Sequence, residues 1–485
     1  MRRLLITALA ASLSGCLIGP DYRRPALDIP PSFHFEETQA RETANTRWWQ
    51  GFRDPALDAL VSEALANNKN VKIAAANVEQ AAGLLTQTRA PLFPQVSFAG
   101  SASRDRLSQN DAIPVAPGIS NPFTTYQLFG GVTWELDLWG RVRRLTEAAR
   151  ANLLASEEAR RGVILSLVSS VAGSYLQLRG LDEQLAIARR NLSAYGESVQ
   201  LFELQFKYGQ VSQMIVEQAR TQYESAAAVV PQLEAQIVQF ENSLSILLGR
   251  NPGPIARGKT IYQIAAPEVP AGLPSQLLER RPDLLQAEHN LISANARIGA
   301  AKSLYFPTIS LTGGYGFESE KLSDLFKGPS RIYSYSGSFT GPIFTAGAIS
   351  GQVRQSEAAR QAALTGYQAA IQSAFADVES ALSTRAKLVS QLQAQERLVR
   401  ADREYERLAR LQYDGGYAPY LTVLNAQQQL FPSELNLAQL RASLFTSYAN
   451  LYKAMGGGWV TEAERLTLPP PARSAGAPPA KVQGK

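Results

Sequence analysis

The chain carries one cysteine in 485 residues, Cys16, at the end of the run Leu13-Ser14-Gly15-Cys16. A lone thiol makes no internal disulfide and no cysteine-rich metal site. The residues before it point to a different chemistry. Arg2 and Arg3 form a short positive segment, and Leu4 to Leu13 are mostly apolar but too few to span a bilayer. Small residues then lead into Cys16. That order is a secretory signal ending in a lipobox: the thiol takes a diacylglyceryl group as a thioether, and cleavage leaves Cys16 as the new N-terminus. The expectation is a signal peptide over residues 1–15 and a covalent N-acyl and S-diacylglycerol lipid on Cys16, with no other cofactor. One such anchor tethers a protein without making it span.

Other reactive side chains are sparse. The two histidines, His34 and His289, stand in no metal-ligand spacing, so no metal site is expected. Gly313 to Glu318, "GGYGFE", lacks the Gly-Lys-Ser/Thr of a phosphate loop and lies in an alternating segment, where glycine serves close strand packing. Methionine occurs only at positions 1, 214 and 455, which argues against a thioether-lined path for soft monovalent metals. Glu157-Glu158 falls on a long helix and reads as solvated. An enzyme acting on envelope polymers would need convergent polar groups, and no such set is present. The formal charge of +6 falls to about +4 without Arg2 and Arg3, and the basic residues are dispersed, so no nucleic acid is expected.

With 45% hydrophobic and 19% charged residues, the composition is that of an ordered protein. No stretch after the signal has eighteen consecutive apolar residues, so no transmembrane helix is expected. What the chain does have is an internal repeat. "APLFPQVSFAG" from Ala90 recurs as "SLYFPTISLTG" from Ser303, and "EAAR" at Glu147 recurs at Glu357. "YGQVSQMIVEQA" from Tyr208 matches "GGYAPYLTVLNA" from Gly415, and "LLGRNPG" from Leu247 falls where "AMGGGWV" from Ala454 sits.

Each half predicts a helix, two strands, a very long helix, a turn and a helix. In the first half these are a helix over 70–89, strands over 95–103 and 126–139, a helix over 141–207 and another over 213–248. The second half predicts a helix over 279–302, two strands, and helices over 349–412 and 421–455. Val96 and Phe98 oppose Gln95 and Ser97; Val132, Trp134, Leu136 and Leu138 oppose Thr133, Glu135 and Asp137. In the second half Ile309, Leu311, Tyr315 and Phe317 oppose Thr308, Ser310 and Thr312, and Tyr333, Tyr335 and Phe339 oppose Ser334, Ser336 and Ser338. Four alternating strands of roughly ten residues suit a membrane β-barrel, although alternation alone also fits a sandwich or surface sheet. The long helices are more decisive. Ile164, Val168, Val171, Tyr175 and Leu178, then Leu185, Ala188, Leu192, Tyr195, Val199, Phe202 and Phe206, keep heptad spacing with one break at Asp182. A helix of about 65 residues is about 100 Å long and needs helical neighbours along its length. An open sheet edge cannot face lipid, and four strands are too few to close a barrel. Several chains must therefore pool their strands; two would give a filled interior and three a channel. Trp48 and Trp49 read as packing or interface residues. Trp134, Trp139, Tyr126, Tyr315, Tyr333 and Tyr335 read as an interfacial aromatic belt, with core packing the competing reading for Trp139.

These residues carry a family resemblance. "CLIGPDYRRP" from Cys16, "RWWQGFRDPALDALVSEAL" from Arg47, "WELDLWGRVRR" from Trp134, "FTGPIFTAGAISGQVRQSEAA" from Phe339 and "YLTVLNAQ" from Tyr420 run in order through nearly the whole mature chain. The chain resembles an outer-membrane factor of the TolC superfamily, in its OprM/NodT-type lipoprotein branch. The resemblance implies an α+β membrane protein: a homotrimer with a twelve-stranded β-barrel, four strands per chain, continued by a long α-helical barrel with an equatorial domain. It implies docking with a periplasmic adaptor (membrane fusion) protein and an inner-membrane pump of the RND type, no catalysis, and export of small molecules such as drugs. Leu17, where Asp would favour the inner membrane by likeness to bacterial lipoproteins, fits the outer membrane. The domains are then a strap and equatorial segment over 16–66, repeats over 67–253 and 279–460, an inter-repeat linker over 254–278, and a disordered Pro/Ala-rich tail over 461–485. Gly209 and Gly416 would form the tip turns. Arg407, Arg410, Tyr413 and Asp414 are the candidates for the periplasmic gate that joins neighbouring protomers. Family members often place Asp before the Tyr-Leu segment; this chain has Ala418-Pro419 there, and Asp414 is the substitute. The alternatives are an outer-membrane duct for type I protein secretion and a lipid-anchored periplasmic coiled-coil scaffold.

Overall fold

Proline and glycine positions set the element boundaries. In a computed structural model described over residues 17–26, 29–30, 32–33, 47–108, 120–269 and 274–457, the first half holds α1 (Pro55–Asn67), α2 (Lys69–Arg89), β1 (Gln95–Asp105), β2 (Phe123–Leu136), α3 (Arg141–Lys207) and α4 (Gln213–Leu247). The second half holds α5 (Pro274–Arg280), α6 (Pro282–Lys302), β3 (Thr308–Ser319), β4 (Arg331–Thr340), α7 (Ala348–Asp414) and α8 (Tyr420–Ala454). The duplication extends to lengths: α2 and α6 have 21 residues each, α3 and α7 have 67 each, and α4 and α8 have 35 each. At 1.5 Å per residue the two long helices are each about 100 Å. The signal peptide, Cys16 and the tail over 461–485 lie outside the described residues.

Four expectations need correction. Glu158, expected to be solvated, is buried on α3, where it pairs with Arg161 at 2.5 Å. The helix expected over 279–302 is two helices, because Pro282 has no N–H to donate and disfavours helical backbone at Arg281. The strand expected to reach Trp139 stops at Leu136, so Leu138 is not a strand residue. Asp137 ends the strand by capping α3: its Oδ1 accepts from Val142 N at 2.9 Å and its Oδ2 from Arg143 N at 2.9 Å. Phe206, expected in the heptad seam, is exposed, while Ile164, Val168, Val171, Tyr175 and Leu178 are fully buried.

The chain divides into two compact units. One unit gathers Asn77–Ser156, Gln286–Gln368 and the strap up to Ala26, and holds the sheet. Its order is β1-β2-β3-β4, antiparallel throughout, so β1 and β4 each pair on one side only. The strap residues after Leu17 are pinned within this unit. Arg144 donates to Ile18 O and Gly19 O and pairs with Asp21 at 2.8 Å, and Asn295 donates to Pro20 O. Gly19 and Gly299 meet backbone to backbone, leaving no room for a Cβ on either.

The other unit buries the helical core. Trp48 stacks on Tyr452 with ring centroids 5.0 Å apart, and Phe52 packs edge-on to Phe445. Asp54, with no solvent exposure, caps α1 and accepts from Tyr175 Oη at 2.7 Å. The heptad break at Asp182 is where the irregular segment after α4 docks: Asp182 accepts from Arg179 and, at 3.1 Å, from Arg257. Arg281, at the α5–α6 break, pairs with Asp283 and Asp377 and donates to Ala374 O and Ala454 O. Burial lowers its pKa, and the bonds and charges of those two carboxylates outweigh that and raise it. Gly180 lies against Ala442 and Gly173 against Thr446, which lets α3 and α8 approach closely.

Candidate functional site

Strand register sorts the sheet into two chemically different faces. Residues paired directly across strands share a face. One row is Val96, Val132, Gly313 and Tyr335; the next is Phe98, Gly130, Tyr315 and Tyr333; a third is Gly100, Leu128, Phe317 and Arg331. Trp134, Leu311, Ile309 and Phe339 continue that face. It is apolar and open: Phe98 and Tyr335 are each 85% exposed. The opposite face is lined by Gln95, Ser97, Thr133, Thr312, Ser334, Ser336 and Ser338, with hydroxyls bonded across strands at 2.6 Å between Thr312 and Ser336 and between Ser310 and Ser338. Its carboxylates are partnered: Glu318 accepts from Gln127, and Glu135 is held by Arg141 at 2.9 Å. Phe129 also lies on this face, with its ring over Gly314 and Gly316, so the "GGYG" glycines provide that bed.

Soluble monomers rarely leave such a face uncovered, whereas a barrel strand needs apolar residues toward lipid and polar ones toward the lumen. No helix of the described residues is long and apolar enough to cross a membrane. Trp139 takes the packing role: its Nε1 donates to Pro307 O at 2.6 Å and its ring stacks on Phe306.

At the far ends of the long helices, the two halves build the same turn. Gly209 and Gly416 have φ of 72° and 76°, the left-handed region that favours glycine. Gly209 N donates to Phe206 O and Gln210 N to Gln205 O; Gly416 N donates to Tyr413 O and Tyr417 N to Gln412 O. Both are Schellman caps, in which two otherwise free carbonyls are satisfied. A shared cluster of Phe202, Val216, Ala219, Ala409, Tyr420 and Val423 brings the two turns together.

The four gate candidates have different environments here. Arg407 grips Glu404 at 2.7 Å and Arg410 grips Glu406 at 3.0 Å, each within its own helix, and all four groups are outside the cluster. The Glu404 hydrogen bond and charge raise the Arg407 pKa. Tyr413 is half-buried and packs edge-on against Tyr420, and burial followed by the Asp414 charge raises its pKa. Asp414 is exposed. The residue that sequence reasoning missed is Tyr417, 90% exposed at the turn. Its signal was the Gly415-Gly416 pair, which leaves the next side chain on the outside of the turn.

Comparison with known proteins agrees with this geometry. The family described as "Outer membrane efflux protein" matches residues 60–250 and 273–457. The chain belongs to that family of outer-membrane channels. A probable efflux pump outer membrane protein of Pseudomonas putida, TtgC, is 38% identical over 463 residues, 94% of this chain and 95% of the relative. The cation efflux system protein CusC of Escherichia coli is 35% identical over 465 residues, covering 94% and 99%. Among solved structures, the open-state MtrE outer membrane channel of Neisseria gonorrhoeae superposes with a TM-score of 0.82 at 31% identity, covering 92% of this chain and 99% of that one. This protein is accordingly an outer-membrane efflux channel with an α+β channel fold, located in the outer membrane.

Proposed function

We propose that the chain is the exit duct of a tripartite efflux system, closed by three copies and coupled to a periplasmic adaptor and an RND-type inner-membrane pump. The observation that carries the reading is the four-stranded sheet with two unpaired edges and one bare apolar face. Such edges are not tolerated in lipid, and cyclic closure removes them. Three copies make twelve strands, wide enough for a lumen lined by the hydroxyl face. The duct itself performs no reaction, and the pump supplies the energy. The lipid on Cys16 fixes the strap, whose following residues Arg144 holds, beside the periplasmic leaflet. Drugs and organic solvents are the substrate class. The mature chain has two methionines, Met214 and Met455, too few to line a path for soft metal ions. Deleting the gene and profiling sensitivity to drugs, solvents and metals, then restoring it alongside each neighbouring pump operon, tests the assignment. Sensitivity to organic compounds rescued with one pump is expected; no change across the whole panel overturns it.

A further inference from the structure

The β3–β4 connection contains a second apolar feature, distinct from the strand faces. Its two short 3-10 turns, Leu322–Asp324 and Gly328–Ser330, bury Leu325 but leave Leu322 and Phe326 63% and 67% exposed. Phe326 does not turn toward the hydroxyl face. Its ring lies edge-on to Phe317, 5.4 Å between centroids, and Phe317 belongs to the row of Gly100, Leu128 and Arg331 on the apolar face. The loop therefore folds Phe326 back onto the lipid-facing surface at the level of Phe317. Basic residues occupy the same side. Arg331 opens β4, and Arg104, the next-to-last residue of β1, alternates with Phe98 and Gly100 onto the apolar face. Both are exposed, and among the described residues neither has an acidic partner. Lys321 and Lys327 flank the exposed apolar pair; Lys327 bonds Asp324 at 2.5 Å, and Glu320 is the other carboxylate of the loop.

Arginine on the lipid side of a barrel is costly near the bilayer centre and tolerated at the interface. Two arginines with no acidic partner among the described residues, at the loop ends of the two edge strands, mark the depth where headgroups begin. We propose that this rim binds the phosphorylated sugar lipid of the outer leaflet, with Leu322 and Phe326 among its acyl chains and Arg104 and Arg331 on its phosphates. Guanidinium suits this task because it binds phosphate bidentately and is weakly hydrated. The proposal rests on the duct reading, which places the loops at the external end of the barrel.

The test uses the full lipidated trimer with Ser323→Cys labelled by a polarity-sensitive bimane, and the unsubstituted chain as a control for labelling elsewhere. Vesicles of phosphatidylcholine are compared with vesicles containing increasing bis-phosphorylated lipid A, and with ones containing its dephosphorylated form. The expected result is a blue shift and loss of iodide quenching with the phosphorylated lipid alone, with a midpoint raised at least fivefold by Arg104→Gln/Arg331→Gln. An equal response to phosphatidylcholine, no response to lipid A, or an unchanged midpoint in the double variant would each overturn the proposal. Conductance of the same vesicles reports the duct reading separately, so the two failures are distinguishable.

Discussion

Replacing Phe98 by lysine, with Ser97→Lys as its partner experiment, separates the two faces of the sheet at adjacent residues. Phe98 is the fourth residue of β1 and is 85% exposed in the isolated chain, in line with Tyr315 and Tyr333. A lysine on the lipid face near the middle of a barrel costs about 2–4 kcal/mol, and three copies raise that to roughly 6–12 kcal/mol for the closed assembly. At 1.4 kcal/mol per factor of ten, each chain contributes a penalty of about 30- to 700-fold. Ser97 sits one residue away on the hydroxyl face, where a lysine stays in water and escapes the lipid-face penalty. The assay is the yield of heat-modifiable, detergent-resistant trimer in outer-membrane fractions. Phe98→Lys is expected to lose nearly all of it and Ser97→Lys to retain it, with Phe98→Leu as a control that keeps the apolar character. Wild-type yield for Phe98→Lys, or equal loss for both lysines, would refute the assignment of the faces.

Three further predictions concern the helical unit. Arg281→Met removes the bonds to Asp283, Asp377, Ala374 O and Ala454 O, but the two carboxylate side chains are 52% and 51% exposed and rehydrate, so the expected loss is about 2–3 kcal/mol, below the usual range for a wholly buried pair; thermal unfolding of the purified protein checks it. Gly416→Ala meets no neighbour within 4 Å, so its cost is the left-handed backbone alone, about 1–2 kcal/mol, and Gly416→Asn should recover part of it in the same measurement. Burial and then the Asp54 hydrogen bond raise the Tyr175 pKa above its ordinary value, so the native state holds this hydroxyl neutral. Its contribution to stability is complete below about pH 10 and falls as the unfolded chain ionises above it. The denaturation midpoint followed from pH 8 to 12 should fall above pH 10, and less steeply in Tyr175→Phe.

Much of the architecture was legible because it is governed by long-period patterns. The absence of proline from Arg141 to Lys207, together with heptad spacing, gave α3 its bounds, and strict alternation separated Phe98 from Ser97 before any pairing was known. Local competition was harder to read. Asp137 could continue an alternating strand or cap a helix, and only the pairing with Val142 N and Arg143 N decides between them. Helix α1 has a strong local start signal, Asp54 as cap with Pro55 at the first helical position, but at 13 residues it is too short to show a long period of its own. The gate residues were the least legible. Whether Arg407, Arg410 and Asp414 face a lumen depends on neighbouring copies, and sequence spacing fixes only their place on their own helix. Tyr413 shows the difficulty: within its own chain it is half-buried against Tyr420, and the neighbouring copies decide what its remaining exposed side meets.

The central claim is that three sheets close edge to edge, β4 of one copy against β1 of the next. Cysteine pairs walked along the two edges, Ser97, Ala99 or Ser101 with Ser334, Ser336 or Ser338, test it in the membrane under mild oxidation. The account predicts that one register yields a covalent ladder of monomer, dimer and trimer that ends at the trimer. A ladder ending at the dimer, one continuing past the trimer, or no intermolecular bond in any register would contradict it.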